Sequence, residues 1–107
     1  MSFIITVVFP NHADAAYDID YYTSHHMPLI LKDWGRYGVI GWNVRTFTPG
    51  PDGLTPQFAF GSDVFWKSSD GLKAAFQGPE AAGIMGDVPN FSNKAPIFLY
   101  GNVVGSS

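Results

Sequence analysis

The sequence contains no cysteine among its 107 residues. The chain therefore has no disulfide bond, zinc–thiolate site, cysteine-ligated iron–sulfur cluster or thiol nucleophile. Charged residues are also scarce, at 14% of the chain against about 25% in an ordinary soluble domain. Because a small monomer has a large surface to cover, this shortage predicts an oligomer in which a partner buries part of that surface. A weakly charged monomer is the alternative.

Basic residues and long apolar runs are missing as well. The six Lys and Arg residues form no cluster and the formal net charge is −3, which argues against nucleic acid as a partner. No apolar run reaches the roughly eighteen residues that cross a bilayer, and the N-terminus lacks a basic start and a small-residue cleavage site. We expect a cytoplasmic protein that does not bind membranes.

What the sequence does contain is a regular alternation of strand and helix patterns. Runs rich in β-branched and aromatic residues between turn residues predict strands. Asp18 is expected to cap the first helix, which runs towards Gly35, and Gly78 separates two shorter helices. The predicted strands are residues 3–9, 38–47, 58–66 and 95–104, and the predicted helices are residues 19–34, 70–76 and 79–86.

This order, β-α-β-β-α-β, predicts a single α+β domain over residues 1–107 with a ferredoxin-like antiparallel sheet. In such a fold the helices cover one face of the sheet and leave the other open. The first and last predicted strands are nevertheless apolar on both faces. We therefore expect the open faces of two copies to pack together in a homodimer, as a dimeric α/β barrel.

Two adjacent histidines occur in the first predicted helix, within "SHHMPL". Neighbouring helical residues point about 100° apart, so only one imidazole should face the interior. His26 shares the helical face of Tyr22 and Ile30, and His25 lies to the side. Pro28 lacks an N–H, which predicts a kink or a fresh helix start near residues 24–27.

His26 is therefore the candidate general acid or base, since an unperturbed imidazole titrates near pH 6.5. A core-facing histidine that only bonds a neighbouring group is the alternative. With three histidines in the chain and no pair at i, i+4 spacing, we expect no metal site.

Several segments together resemble a known family. They are "DIDYYTSHHMPLILKDWG" at residues 18–35, the Gly-x-x-Gly-Trp stretch from Gly38 to Trp42, and "GDVPNF" before the last strand. This combination resembles the EthD family of small dimeric α/β-barrel proteins, named from a pathway that degrades ethyl tert-butyl ether. The resemblance spans nearly the whole chain.

The resemblance implies a homodimeric ferredoxin-like barrel in which each subunit encloses a pocket between its sheet and its helices. His26 and Asp87 occupy the polar positions of the motifs, and Tyr21 and His25 are further residues of the same stretch. Asp87 as a turn residue bonded to backbone amides, and the aromatic residues as core, are the alternatives. The implied pocket walls are Tyr22, Trp42, Trp66 and Phe91.

Three functions are compatible with these features. The first is a cofactor-free or oxidoreductase-like enzyme of a catabolic or polyketide-type pathway, acting on a small apolar or aromatic, oxygenated molecule, with His26 as general acid or base and Asp87 as its partner. The second is a non-catalytic ligand carrier or accessory protein of a separate oxidase. The third is a haem enzyme with His26 as iron ligand, although no other feature marks a haem site. We expect no bound cofactor.

Overall fold

The structure is a computed structural model that describes residues 2–107. Four strands form one antiparallel sheet in the order β2-β3-β1-β4, with β1 paired to both β3 and β4. Together with the helices this is the predicted ferredoxin-like α+β fold. The strands are β1 Phe3–Pro10, β2 Val39–Thr46, β3 Phe58–Trp66 and β4 Ile97–Asn102.

The first helical region runs without a break through four parts of three helical types. Asp18 caps it as predicted, because its carboxylate accepts a hydrogen bond from the Tyr21 backbone N–H at 3.0 Å. The region ends at Gly38, whose φ of 121° favours glycine. Its parts are α1 Ile19–Tyr21, the π-helical turn Tyr22–His26, α2 Met27–Trp34 and a 3₁₀ turn Gly35–Tyr37.

The π-helical turn is the irregularity predicted next to Pro28. The Met27 backbone N–H bonds to the Tyr22 carbonyl, five residues back, and Pro28 then lies in the first turn of α2. Since Pro28 has no N–H to give to the Ser24 carbonyl, the change of hydrogen-bond pattern falls where an α-helix would have lost a bond.

The second helical region is built from short pieces around glycines. Ser68 caps it, and Gly78 separates its two α-helices. Its parts are a 3₁₀ turn Ser69–Gly71, α3 Leu72–Gln77, α4 Ala81–Gly86 and a 3₁₀ turn Val88–Asn90. None of the helices among residues 2–107 is both long and apolar enough to cross a membrane.

The two faces of the sheet have different surroundings. On β1, the side chains of Phe3, Ile5, Val7 and Phe9 point towards the helices and are buried in the main core. The opposite face is only partly covered: Val8 is buried there, whereas the edge strand β4 exposes Ile97 and Leu99 by about half, at 47% and 53%. The structure thus leaves open the face that the sequence predicts to be covered by a second copy.

Gly71 holds the second helical region against the end of the first. A Cβ atom at this position would lie 1.7 Å from the Tyr37 carbonyl oxygen, closer than any non-bonded contact allows. Gly83, inside α4, has nothing within 4 Å of the corresponding point. Only the first glycine is therefore required by packing.

We expect Gly71→Ala to lower the free energy of unfolding by about 1–3 kcal/mol, because the backbone of one segment must move away. Gly83→Ala is the matched control, and it should raise stability by about 0.4–1 kcal/mol through reduced entropy of the unfolded chain. Thermal denaturation followed by circular dichroism measures both. Equal melting temperatures for the two variants would contradict this account of Gly71.

Candidate functional site

The π-helical turn separates the two histidines as the sequence predicts. His26 is buried at 5% exposure, and its ring stacks on Tyr22 with centroids 5.4 Å apart. His25 is exposed and lies 4.8 Å from the ring of Tyr21 on the outside of the helix. The turn therefore carries an inner pair, Tyr22 and His26, and an outer pair, Tyr21 and His25.

Asp87, which follows α4, meets the inner histidine. Its Oδ2 lies 2.9 Å from His26 Nδ1. Its Oδ1 accepts hydrogen bonds from the Tyr21 hydroxyl at 2.6 Å and from Asn90 Nδ2 at 2.9 Å. The carboxylate thus bonds side chains, rather than the backbone amides of the turn interpretation, and it joins the inner histidine to the outer tyrosine.

The surroundings favour an ionised Asp87 beside a neutral His26. Burial acts to raise the pKa of Asp87, but the hydrogen bonds from Tyr21, Asn90 and His26 outweigh it and lower that pKa below its ordinary value. Burial lowers the pKa of His26, and the bond and charge of Asp87 only partly oppose this. The bond to Asp87 raises the pKa of Tyr21, which stays a donor.

These charges fix the tautomer of His26. A neutral imidazole beside a carboxylate places its proton on Nδ1, which donates to Asp87, and leaves the lone pair on Nε2. Among the hydrogen bonds of residues 2–107, the His26 ring takes part only through Nδ1. The site therefore presents a free nitrogen base.

His26 lines an apolar cavity between the helices and the inner face of the sheet. Its volume is about 40 Å³, enough for one or a few water molecules. Tyr22 and Ser62 are the other polar lining residues, with hydroxyl oxygens 2.7 Å apart, and burial raises the pKa of Tyr22 to about 12. The remaining lining is Ile5, Val7, Phe9, Ile30, Trp34, Val64, Phe76, Ile84, Met85, Val88, Phe91, Pro96 and Phe98.

Of the four predicted pocket walls, Tyr22 and Phe91 line this cavity, and Trp42 and Trp66 do not. Trp66 is fully buried and packs against Trp34, with ring centroids 5.7 Å apart, so it belongs to the core. Trp42 lies half-buried on the edge strand β2. Both tryptophans lie outside this cavity, since Trp42 is on the edge strand β2 and Trp66 is the last residue of β3.

The sequence did not predict that Asn90 and Ser62 belong to the site, and it pointed to Tyr21 only as part of the family motif. Asn90 carried a usable signal, since it follows Asp87 by three residues and a helical turn brings such residues to one side. Ser62 carried none, because its contact with Tyr22 joins residues 40 positions apart.

The residues around His26 decide whether the site can hold a metal ion or a haem. Among residues 2–107, no group of three or more His, Cys, Asp or Glu side chains is arranged to hold a metal ion. His26 Nδ1 is bonded to Asp87, and the cavity beside Nε2 has no room for a haem macrocycle. The site as folded does not fit a haem.

Comparison with known proteins identifies the fold. The sequence matches no protein-family model and none of the curated proteins with which it was compared. Its structure is similar to an EthD-like protein from Ralstonia eutropha JMP134, with a TM-score of 0.87 and 24% identity, covering 99% of this chain and 95% of that one. An ethyl tert-butyl ether degradation (EthD) family protein from Bacillus halodurans C-125 has a TM-score of 0.73 and 18% identity, with 97% and 100% of the two chains covered.

A third similar structure is a dimeric ferredoxin-like protein of unknown function from Jannaschia sp. CCS1. Its TM-score is 0.61 at 14% identity, and the match covers 96% of this chain and 100% of that one. At these identities the similarity establishes the fold. The protein therefore has the ferredoxin-like fold of the EthD-like proteins, which confirms the motif resemblance at the level of structure.

Proposed function

We propose that the protein is an EthD-like enzyme that moves a proton on a small, largely apolar, oxygenated molecule, with His26 as the base. One observation carries this proposal. His26, whose Nδ1 is 2.9 Å from a carboxylate oxygen of Asp87, lines an apolar cavity, and among residues 2–107 its Nε2 has no hydrogen-bond partner. A neutral, oriented imidazole in water-poor surroundings is suited to general base catalysis.

The proposed step is the loss of a proton from a carbon next to a carbonyl group. The C–H bond breaks, Nε2 of His26 gains the proton, and the electron pair moves to the carbonyl oxygen to give an enolate. Asp87 does not take up the proton. Its charge stabilises the imidazolium that forms, and its bond to Nδ1 keeps the ring oriented.

The Tyr22–Ser62 pair supports this step with a hydrogen-bond donor. Two hydroxyl groups share the 2.7 Å contact, so one O–H is used in it and the other remains available. Both residues line the cavity beside His26. We infer that the spare O–H bonds the oxygen on which the enolate charge develops, where a fixed donor has its largest effect.

The test is hydrogen–deuterium exchange at the carbon next to the carbonyl of 2-tetralone, an apolar ketone with an aromatic ring. We expect the protein to accelerate exchange in D₂O, and His26→Ala to reduce the catalysed rate by about 100-fold or more. Mass spectrometry of the recovered ketone measures the rate. His25→Ala is the matched control on the neighbouring residue, and it should retain the rate.

Two results would contradict the proposed enzymatic function. If His26→Ala keeps the catalysed exchange rate, His26 is not the base. Binding of 2-tetralone by the original protein with no accelerated exchange would instead favour the carrier function. Melting temperatures of the two variants establish that both are folded.

Asp87→Asn should change the titration of His26. The substitution removes the negative charge that opposes burial, so the pKa of His26 should fall further below 6.5. Titration of the histidine ring protons by NMR measures this, with the exposed His12 as internal control. An unchanged or raised His26 pKa in the variant would show that the carboxylate does not stabilise the imidazolium.

We also propose that two copies pair through the open face of the sheet. The radius of gyration, 14.5 Å, exceeds the roughly 13 Å expected for a compact chain of this length. Two polar side chains of this face bond each other, since Thr6 donates to Asp63 at 2.7 Å. The apolar side chains of Ile97 and Leu99 remain exposed there. One of the similar structures is described as dimeric.

Leu99→Asp should convert this dimer to a monomer, because it would bury two unpaired charges in the interface. Leu31→Asp, on the exposed side of α2, is the matched control and should leave the dimer intact. Native mass spectrometry measures the masses. A single-chain mass for the unsubstituted protein would remove the proposed pairing.

A further inference from the structure

The cavity beside His26 is smaller than the molecule that the proposed reaction requires. Sites for small organic ligands enclose about 300–1,000 Å³, and this cavity has about 40 Å³. Since a ring with a carbonyl group cannot fit within it, most of the substrate must lie in a neighbouring space.

A second, open groove lies between the chain before α1 and the segment after Asp87. Its volume is about 350 Å³. The groove is held in shape by Asn93, whose Oδ1 accepts from the Ala16 N–H at 2.8 Å and whose Nδ2 donates to the Asp14 carbonyl at 2.9 Å. Its lining is Ala16, Tyr17, Asp18, Pro89, Asn90, Phe91, Ser92 and Asn93.

Phe91 lines both the cavity and the groove. Its ring centroid is 4.6 Å from that of His26 and 4.7 Å from that of Tyr22. Phe91 is 2% exposed, contacts the imidazole and is shared by the two linings. Movement or truncation of a ring shared by the two linings would bring the two spaces together beside His26.

The polar atoms of the groove indicate which molecules it accepts. Asp18 uses one carboxylate oxygen to cap the helix, and Asn90 uses its Nδ2 on Asp87 and Tyr21. Among residues 2–107, no hydrogen bond engages the other Asp18 oxygen or Asn90 Oδ1. The lining contains no Lys, Arg or His. The groove thus offers acceptors and a negative charge, which suit hydroxyl donors and repel carboxylates.

We propose that this groove is the outer part of the substrate site, that it takes a neutral hydroxylated aromatic ring, and that Phe91 controls the access of that ring to His26. The proposal rests on the proposed proton-transfer function, and it adds the substrate class and the route. Phe91 then acts as a specificity-determining residue.

The test uses 2-naphthol, a neutral planar molecule that resembles the enol of 2-tetralone. We expect it to bind and to shift the NMR signals of both the His26 ring and the amides of residues 90–93. 2-Naphthoate, which carries a carboxylate on the same rings, should bind at least about tenfold more weakly. Phe91→Leu should increase the shift at His26, because the ring shared by the two linings becomes smaller.

The matched pair of variants is Ala16→Trp and Ala13→Trp. Ala16 is exposed and lines the groove, and its hydrogen bonds are made by the backbone, so a tryptophan fills the groove without removing a bond. Ala13 is exposed on the same loop outside the groove. We expect Ala16→Trp to weaken 2-naphthol binding at least about tenfold and Ala13→Trp to leave it unchanged.

Three results would overturn the proposal: equal affinity in the two tryptophan variants, no binding of 2-naphthol, or shifts at residues 90–93 without any at His26 in the original protein and in Phe91→Leu. The exchange assay separates this failure from that of the enzyme. Exchange that needs His26 but is unaffected by Ala16→Trp would reject the groove as part of the substrate site and support the proton-transfer function. The opposite result is also possible. If Ala16→Trp loses 2-naphthol binding but the unsubstituted protein has no exchange activity, the groove is a binding site and the proton-transfer function is rejected.

Discussion

The missing backbone N–H of Pro28 is the constraint on which the site depends. An α-helical pattern through residues 22–30 would leave the Ser24 carbonyl without its donor, and the chain passes this point through a π-helical turn in which Met27 bonds to Tyr22. That turn directs Tyr22 and His26 inward and Tyr21 and His25 outward. The inner histidine and the outer tyrosine then reach the same carboxylate from two sides.

The carboxylate of Asp87 is costly to bury, and its surroundings explain how the fold tolerates it. Three donors engage its two oxygens, so the charge is compensated without a cation in contact. Two of those donors come from the first helical region and one from the turn that carries Asp87. The same bonds therefore join the two helical regions and orient the imidazole, which makes the site a part of the packing between them.

The parts of this structure that follow from local sequence were predictable. The Asp18 cap, the irregularity next to Pro28 and the inward direction of His26 each depend on a few neighbouring residues, and the order of strands and helices along the chain followed from apolar runs and turn residues. The contact of His26 with Asp87 was a hypothesis, because 61 residues separate them and only the packed fold sets their distance. That Trp42 and Trp66 lie outside this cavity was not predictable either, because an aromatic side chain in a strand can belong to the core or line a pocket.

Strand β4 serves both faces of the sheet with consecutive residues. Phe98 is part of the cavity lining, and its neighbours Ile97 and Leu99 project from the opposite side. Side chains alternate with a period of two along a strand, so the insertion or loss of one residue before Ile97 would exchange these roles along the whole strand. Length changes at this edge are therefore tolerable in evolution only in steps of two, or where the connecting loop absorbs them.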